Sequence, residues 1–274
     1  MLKPAETKIT VLGANGMLGY AVSEYYTRKH YNVATVKRED FDVINDNPEK
    51  LATYLEKSSL VINCIGIIKQ IIDEVSDIDV LKINGTFPKN LAKLCKALNV
   101  PLIHVTTDCA YSGLKGNYSE NDFFDAEDLY GISKNAGENT ECMILRTSLI
   151  GPEKGRQRSL LEWAFSQKGI KVKGFTNHIW NGVTTLYFAE ITEKILNHKL
   201  HQEGIYHIHS PNKASKFDLL NIFNDVFSLN MKIEPTETPV KCDRSMTSIY
   251  ELSQTLAYKT ILQQVMNLKD FFQI

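Results

Sequence analysis

A chain of 274 residues with 43% hydrophobic content is long enough for one large α/β domain, alone or with a smaller appendage, and apolar enough to fill its core. Its 31 basic and 32 acidic residues leave a formal net charge of -1, which provides no global field for nucleic acid or an anionic membrane surface, so an anionic ligand has to be caught locally. Five cysteines without a CxxC pair lie mostly in apolar runs such as VINCIGI and LAKLCKAL; they read as small buried hydrophobes of a reducing, cytoplasmic compartment, and no apolar stretch reaches signal-peptide length at the N-terminus or the length of a membrane span.

In chain order, KITVLG is a buried-strand run, MLGYAVSEYYTRKH carries helical periodicity, and YNVATVK is a second strand. PEKLATYLEKS follows as a helix with Pro48 in its first turn, and LVINCIG, FPKNLAKLCKALN and VPLIHVTTD continue strand, helix, strand. This alternation predicts parallel βαβ units with right-handed crossovers, a Rossmann-like doubly wound sheet. Beyond ECMILRTSLIG the pattern loosens. There KVKGFTNHIWNGVTT is rich in Gly and Asn, LYFAEITEKILNH is a helix, GIYHIHS a strand, and SKFDLLNIFNDVF a helix opened by the capping-box spacing of Ser215 and Asp218. This half reads as a smaller α+β substrate-binding cap packed closely on the first domain: residues 1–150 with about 176–202 form the dinucleotide-binding part, 151–175 and 203–274 the cap.

The segment VLGANGMLGY places Gly13, Gly16 and Gly19 between the first strand and the first helix. Glycines there let the chain turn tightly, approach a pyrophosphate and present helix N-terminal N–H groups to it. The spacing is GxxGxxG, not GxGxxG, so position after the first strand carries the inference. Lys37 and Arg38 stand at the end of the second strand, where an NAD-specific domain would offer a carboxylate; two cations suit a 2′-phosphate and favour NADPH, with NADH as the alternative and Glu39 a counterweight. Further on, DLYGISKNAGE sets Tyr130 and Lys134 four positions apart, hence on one helical face. A tyrosine titrates near ~10, and an adjacent ammonium lowers that value, so the pair reads as a proton donor with its tuning charge. Upstream, HVTTDCAYSG ends a strand with Thr106 and Thr107, at the carboxyl edge where open α/β sheets bind ligands.

Glycine loop, TTDCAYSG, YGISKNAGE and LRTSLIGPE, in this order, resemble the extended short-chain dehydrogenase/reductases, and most closely the dTDP-4-dehydrorhamnose reductase-like family, along essentially the whole chain. The resemblance implies that Thr107 is the active-site hydroxyl residue, Tyr130 the proton donor, and Lys134 the residue that binds the nicotinamide ribose and tunes the tyrosine. It implies that Gly13, Asn15, Gly16, Met17, Leu18 and Gly19 hold the pyrophosphate, that Asp42 and Val43 border adenine, and that Cys64, Ile65 and Gly66 line the cofactor after the fourth strand. Asp108, Cys109 and Arg244 fall on the substrate side, Arg244 as a bidentate partner for a nucleotide diphosphate. The chain departs from the pattern at Leu149 and Cys109, where aromatics are usual, and it lacks the Pro-x-Trp after Arg244, which leaves the sugar open.

The activity so implied is NADPH-dependent reduction of the 4-keto group of a nucleotide-linked 4-keto-6-deoxy sugar, serving surface polysaccharide or glycan synthesis. Epimerisation or dehydration with retained cofactor, or a non-catalytic NADP-binding regulatory subunit, are the alternatives, and a homodimer is an open alternative to a monomer. Other features read as structure. His207 and His209 share a strand face but have no third ligand in the sequence, so no metal is expected; Cys109 has no base partner and reads as packing; Trp163 and Phe165 read as cap core or interface.

Overall fold

The structure, a computed structural model, describes residues 3–138, 141–155 and 157–274. Its strands are β1 (Lys8–Leu12), β2 (Asn32–Val36), β3 (Leu60–Asn63), β4 (Leu102–Thr107), β5 (Met143–Thr147), β6 (Leu149–Ile150), β7 (Lys171–Phe175), β8 (His178–Trp180), β9 (Val183–Thr184), β10 (Gly204–His207), β11 (Ala214–Ser215), β12 (Lys232–Thr236) and β13 (Cys242–Asp243). Its α-helices are α1 (Met17–Arg28), α2 (Ala52–Leu55), α3 (Asp77–Leu81), α4 (Phe87–Ala97), α5 (Leu129–Ala136), α6 (Leu160–Ser166), α7 (Thr185–Asn197), α8 (Lys216–Phe227), α9 (Glu251–Leu256) and α10 (Ile261–Phe272).

The central sheet has six strands in the order β10-β5-β4-β3-β1-β2, every pair parallel. Side chains of a strand alternate between faces, so each strand feeds two cores. Ile9 and Val11 of β1, Ile62 of β3, Ile103 and Val105 of β4 and Leu145 of β5 join one buried cluster with α1 and α7; Leu12, Val61, Leu102 and Ile144 join the other with Leu91 and Cys95 of α4. β3, β4 and β5 are buried along their whole length, as parallel strands covered on both faces must be. Sheet growth reverses at β1, which has β2 on one side and β3 on the other; this switch point opens the crevice in which doubly wound folds bind ligands.

Four sequence expectations change. Gly204–His207 belongs not to the cap but to the main sheet: after α7 packs on α1, with Tyr26 Oη and Thr192 Oγ1 3.0 Å apart, the chain returns beside β5 and pairs Tyr206 with Leu145 and His207 with Arg146. The helix expected at Phe87 is reached through an earlier helical path, α3 capped by Ser76 and a π-helical turn at Lys82–Thr86; β-branched residues and Gly85 mask its periodicity. Cys64, Ile65 and Gly66 leave β3, the third strand in chain order and not the fourth. The PEKLATYLEKS helix shrinks to a 3₁₀ turn at Pro48–Leu51, capped by Asn47, and the short α2.

The cap consists of α8 and α10 with a three-stranded sheet in the order β11-β8-β13 and the pair β12-β7. The expected capping box of α8 is present, Ser215 Oγ accepting from Asp218 N at 3.1 Å and Asp218 Oδ2 accepting from Ser215 N at 2.9 Å. Leu219 and Phe223 of α8 and Ile261 and Leu268 of α10 enter the same apolar cluster as α1 and α7, so cap and sheet share a core. Phe188, fully buried in mid-α7, lies at that junction. Replacing Phe188 with Ala is expected to cost about 3–5 kcal/mol in urea unfolding; a loss below about 1 kcal/mol would contradict the shared core.

Candidate functional site

The glycine segment leaves β1 beside the switch point. Gly13 has φ +76°, and a Cβ on it would stand 3.0 Å from Cys64 C and Ile65 N, so only glycine lets the exits of β1 and β3 come this close. Gly13 N donates to Val36 O at 2.9 Å, which ties the loop to the end of β2. A Cβ on Gly19 would overlap Gly13 O, so α1 can lie against the loop only because that position is bare. Gly16 is the N-cap of α1 and contributes no side-chain cap, so the first-turn N–H groups remain available to an anionic group. Met17 and Leu18 form that first turn.

At the end of β2, Glu39 stands between two of the expected cofactor contacts: Oε2 accepts from Asn15 Nδ2 at 3.4 Å and Oε1 lies 3.7 Å from Lys37 Nζ. Arg38 is exposed and pairs with Asp42 at 3.4 Å. Asp42 Oδ1 accepts from Ile44 N at 2.8 Å, the main reason its carboxyl lies below the usual range, while Val43 and Ile65 pack on the second core. A dinucleotide fits this side by donor chemistry and by shape: bare glycines, uncapped helix N–H groups and cations at the end of β2.

The reactive side lies past β4. Thr107 ends that strand and caps the 3₁₀ turn Asp108–Ala110, its Oγ1 accepting from Cys109 N at 3.1 Å and donating to Asp108 Oδ1 at 3.2 Å. Asp128 caps α5 by accepting from Gly131 N at 2.8 Å, and the helix brings the Tyr130 side chain beside that of Thr107. Burial holds the Tyr130 phenol above its ordinary value, with Cys109, Asp108 and Asp128 adding to it and the Thr107 hydrogen bond opposing, so the hydroxyl stays protonated near neutrality. This corrects the expected tuning: burial, not the Lys134 charge, decides the phenol, and the Lys134 Nζ donates to Val105 O at 3.0 Å. Lys134 is buried, and burial brings its ammonium down to about 8, opposed by Glu138 and Cys64.

Gly66 faces Lys134 directly: a Cβ there would lie 3.4 Å from Lys134 Nζ and 3.2 Å from Asn84 Oδ1. Asn84 escaped the sequence reading because INGTF carries no recognisable pattern. It sits in the π-helical turn, fully buried, and bonds Ile67 N and O at 2.8 and 3.1 Å and Ser133 Oγ at 3.1 Å, fixing the exit of β3 against α5. On the substrate side, Arg244 Nε donates to Tyr111 O at 2.8 Å and its guanidinium faces Asp108 and Asp128. Burial raises the Asp108 carboxyl, and it raises the Cys109 thiol to about 12 with Asp108 adding to it. Tyr130 and Asp128 line a cavity of about 490 Å³ with Lys69, Ile72, Asp73, Val75, Asp77 and Leu129, across which Lys69 Nζ meets Asp128 Oδ2 at 2.6 Å. Lys69 is the second contact that the sequence reading missed.

The expected histidine pair separates. His207 is buried among Arg146, Tyr111 and the carbonyls of Tyr118 and Thr247, and burial with the Arg146 charge brings it down to about 4; half-buried His209 meets only Ser210 O at 2.9 Å. Phe165 packs edge-on against Phe227, and Trp163 remains partly exposed.

A family model described as the RmlD substrate binding domain matches residues 7–271. The chain is 28% identical over 138 residues to a dTDP-4-dehydrorhamnose reductase of Streptomyces griseus, a match covering 49% of this chain and 45% of that protein, so it spans about half that relative's length. It is 28% identical over 230 residues to the probable low-salt glycan biosynthesis reductase Agl14 of Haloferax volcanii, covering 76% of each. The fold is similar to that of a Bacillus anthracis dTDP-4-dehydrorhamnose reductase in complex with NADP, with a TM-score of 0.78 at 18% identity over 97% of this chain and 99% of that one.

Two measurements test this geometry. Cys109 should resist iodoacetamide at pH 8, since its thiol ionises only near about 12; rapid alkylation read by peptide mass spectrometry would contradict the burial. For Lys134 the depressed ammonium means that the unfolded chain binds more protons above pH about 8, so this group makes stability rise as pH climbs from about 8 towards ~10. Urea unfolding of the protein and of Lys134→Met across that window should show the rise in the first and its absence in the second.

Proposed function

The chain belongs to the RmlD substrate binding domain family, and from that premise we propose that it is an NADPH-dependent reductase of the 4-keto group of a nucleotide-linked 4-keto-6-deoxy sugar. The observation that carries the reading is the neighbouring hydroxyls of Thr107, at the carboxyl end of β4, and Tyr130, at the wall of a cavity, with a buried lysine one helical turn behind. The relatives support the same direction, as proteins named for reduction of dTDP-linked keto sugars or for glycan biosynthesis. We extend that to a role in surface polysaccharide or glycan synthesis in a reducing cytoplasm.

Bound NADPH would supply the hydride. The first-turn N–H groups of α1, with Gly13, Asn15 and Gly16, would hold its pyrophosphate; Lys37 and Arg38 would meet a 2′-phosphate, and Lys134 with Gly66 and Asn84 would border the ribose next to the reacting ring. Tyr130, protonated at neutrality, gives its proton to the ketone oxygen as negative charge develops there. The Thr107 hydroxyl hydrogen-bonds the same oxygen and keeps Tyr130 aimed. Thr107 Oγ1 is held in place by Cys109 N and Asp108 before substrate arrives and would turn its proton from Asp108 to the ketone oxygen on binding. Arg244, anchored at its Nε by Tyr111 O, would face the substrate diphosphate, and Lys69 would be the nearest flexible cation at the cavity mouth.

NADPH oxidation should be followed with dTDP-, UDP- and GDP-linked 4-keto-6-deoxy sugars, beside Tyr130→Phe. The variant is expected to lose about 10²–10⁴-fold in turnover while NADPH affinity stays within a few fold of the parent. Undiminished turnover in the variant would remove Tyr130 as the proton donor, and silence across the panel would remove the substrate class.

A further inference from the structure

Glu138 stands just past α5 and its C-cap Gly137, its N–H donating to Asn135 O at 2.9 Å, and it is only 4% exposed. Both carboxylate oxygens are taken. Oε1 accepts from Thr106 Oγ1 at 2.5 Å and from Arg146 Nε at 3.1 Å, and Oε2 accepts from Arg146 Nη2 at 2.5 Å. Arg146, 2% exposed, is itself held by the Tyr111 hydroxyl at 2.6 Å and by His207 Nε2 at 2.7 Å, both accepting from Nη1. His207 therefore carries its proton on Nδ1, which donates to Thr247 O at 2.8 Å. The carboxylate cannot turn to any other partner.

A buried ion pair of this kind is worth little more to stability than apolar residues of the same volume, so its position has to be read for what its charge does. Lys134 lies four residues before Glu138, and the two side chains end on neighbouring residues of β4, Lys134 on Val105 O and Glu138 on the Thr106 hydroxyl. The titratable groups whose charges act on Lys134 are Cys64 at the exit of β3, His104 on β4, and Glu138. Burial keeps His104 neutral, helped by the lysine charge, and it keeps Cys64 a thiol up to about 12. Glu138 is thus the one fixed anion among the groups facing Lys134.

We propose that Glu138 is a positioning residue for Lys134: clamped by Arg146 and Thr106, its carboxylate supplies the counter-charge that keeps the buried ammonium protonated and held between Val105 O and Gly66 at the exit of β3. This deepens the proposed cofactor role of Lys134, yet it concerns a charge that can be observed without any substrate. The ammonium already sits near its own titration, at about 8, so a lost counter-charge would discharge it in the range where an enzyme works.

The test is the titration of the Lys134 Cε signal in ¹³C-lysine-labelled protein, assigned by its loss in Lys134→Met. Glu138→Gln keeps the shape and should lower the Lys134 midpoint by about one pH unit or more, while Glu138→Asp, which keeps the charge, should stay nearer the parent value. In parallel, the weakening of NADPH binding at rising pH should begin about one unit earlier in Glu138→Gln. An unchanged midpoint in a folded Gln variant overturns the proposal. If that variant loses its melting transition because Arg146 is left unpaired, Glu138→Gln with Arg146→Met removes both charges, and the same midpoint decides. Should Lys134→Met bind NADPH as tightly as the parent, the cofactor reading of Lys134 fails while the titration result stands on its own.

Discussion

Arg146 and Glu138 meet in the interior through two parallel hydrogen bonds of 3.1 and 2.5 Å, and this contact ties the chain just past α5 to β5. On one side it fixes the end of α5, the helix that carries Tyr130 and Lys134. On the other, Arg146 reaches Tyr111, whose ring stacks on Tyr118 at 4.2 Å and whose carbonyl holds Arg244. Tyr118 in turn pairs with the 245–247 segment, N to Ser245 O at 2.9 Å and O from Thr247 N at 2.8 Å. Two charges are costly to bury, and removal of either partner would leave the other without compensation, at about 3–5 kcal/mol. The geometry of both halves of the site rests on that constraint.

Glu120 extends the network to the cap. Its Oε1 accepts from His207 N at 2.8 Å and Ser248 Oγ at 2.6 Å, and its Oε2 from Ile249 N at 3.0 Å. A strand of the main sheet, the loop after β4 and the segment bearing Arg244 therefore share one carboxylate. Sheet and cap act as one body through this polar seam and through the apolar cluster that runs from α1 and α7 into α8 and α10. An active site built across the two parts needs such coupling, since positioning errors of about 1 Å can cost 10²-fold in rate.

Chemically, the arrangement separates a donor from its charge. Tyr130 is kept protonated by burial beside Thr107, while the Lys134 Nζ is held on Val105 O of β4, and burial outweighs any pull on the phenol. In the proposed reduction the donor must hold its proton until negative charge grows on the ketone oxygen, and a phenol above its ordinary value does so. A depressed phenol would serve a base better than an acid.

Much of this was legible in the sequence because it is local. Alternation of strand and helix, the glycine loop after the first strand, the four-residue spacing of Tyr130 and Lys134, and the Ser215–Asp218 box are properties of short windows, where periodicity and capping chemistry act within a few residues. What sequence alone could not assign depends on partners far apart in the chain. Gly204–His207 joins the main sheet because α7 packs on α1, and Asn84 matters because a π-helical turn aims it at Ile67 and Ser133. Arg146 and Glu138 look like an ordinary strand residue and an ordinary helix end until the fold buries them together. The sequence by itself determined the kind of fold and the candidate reactive side chains, since both follow from local pattern. Only the tertiary structure decided which charges are buried and which face each other, because desolvation and Coulomb interaction depend on distance in space and not along the chain.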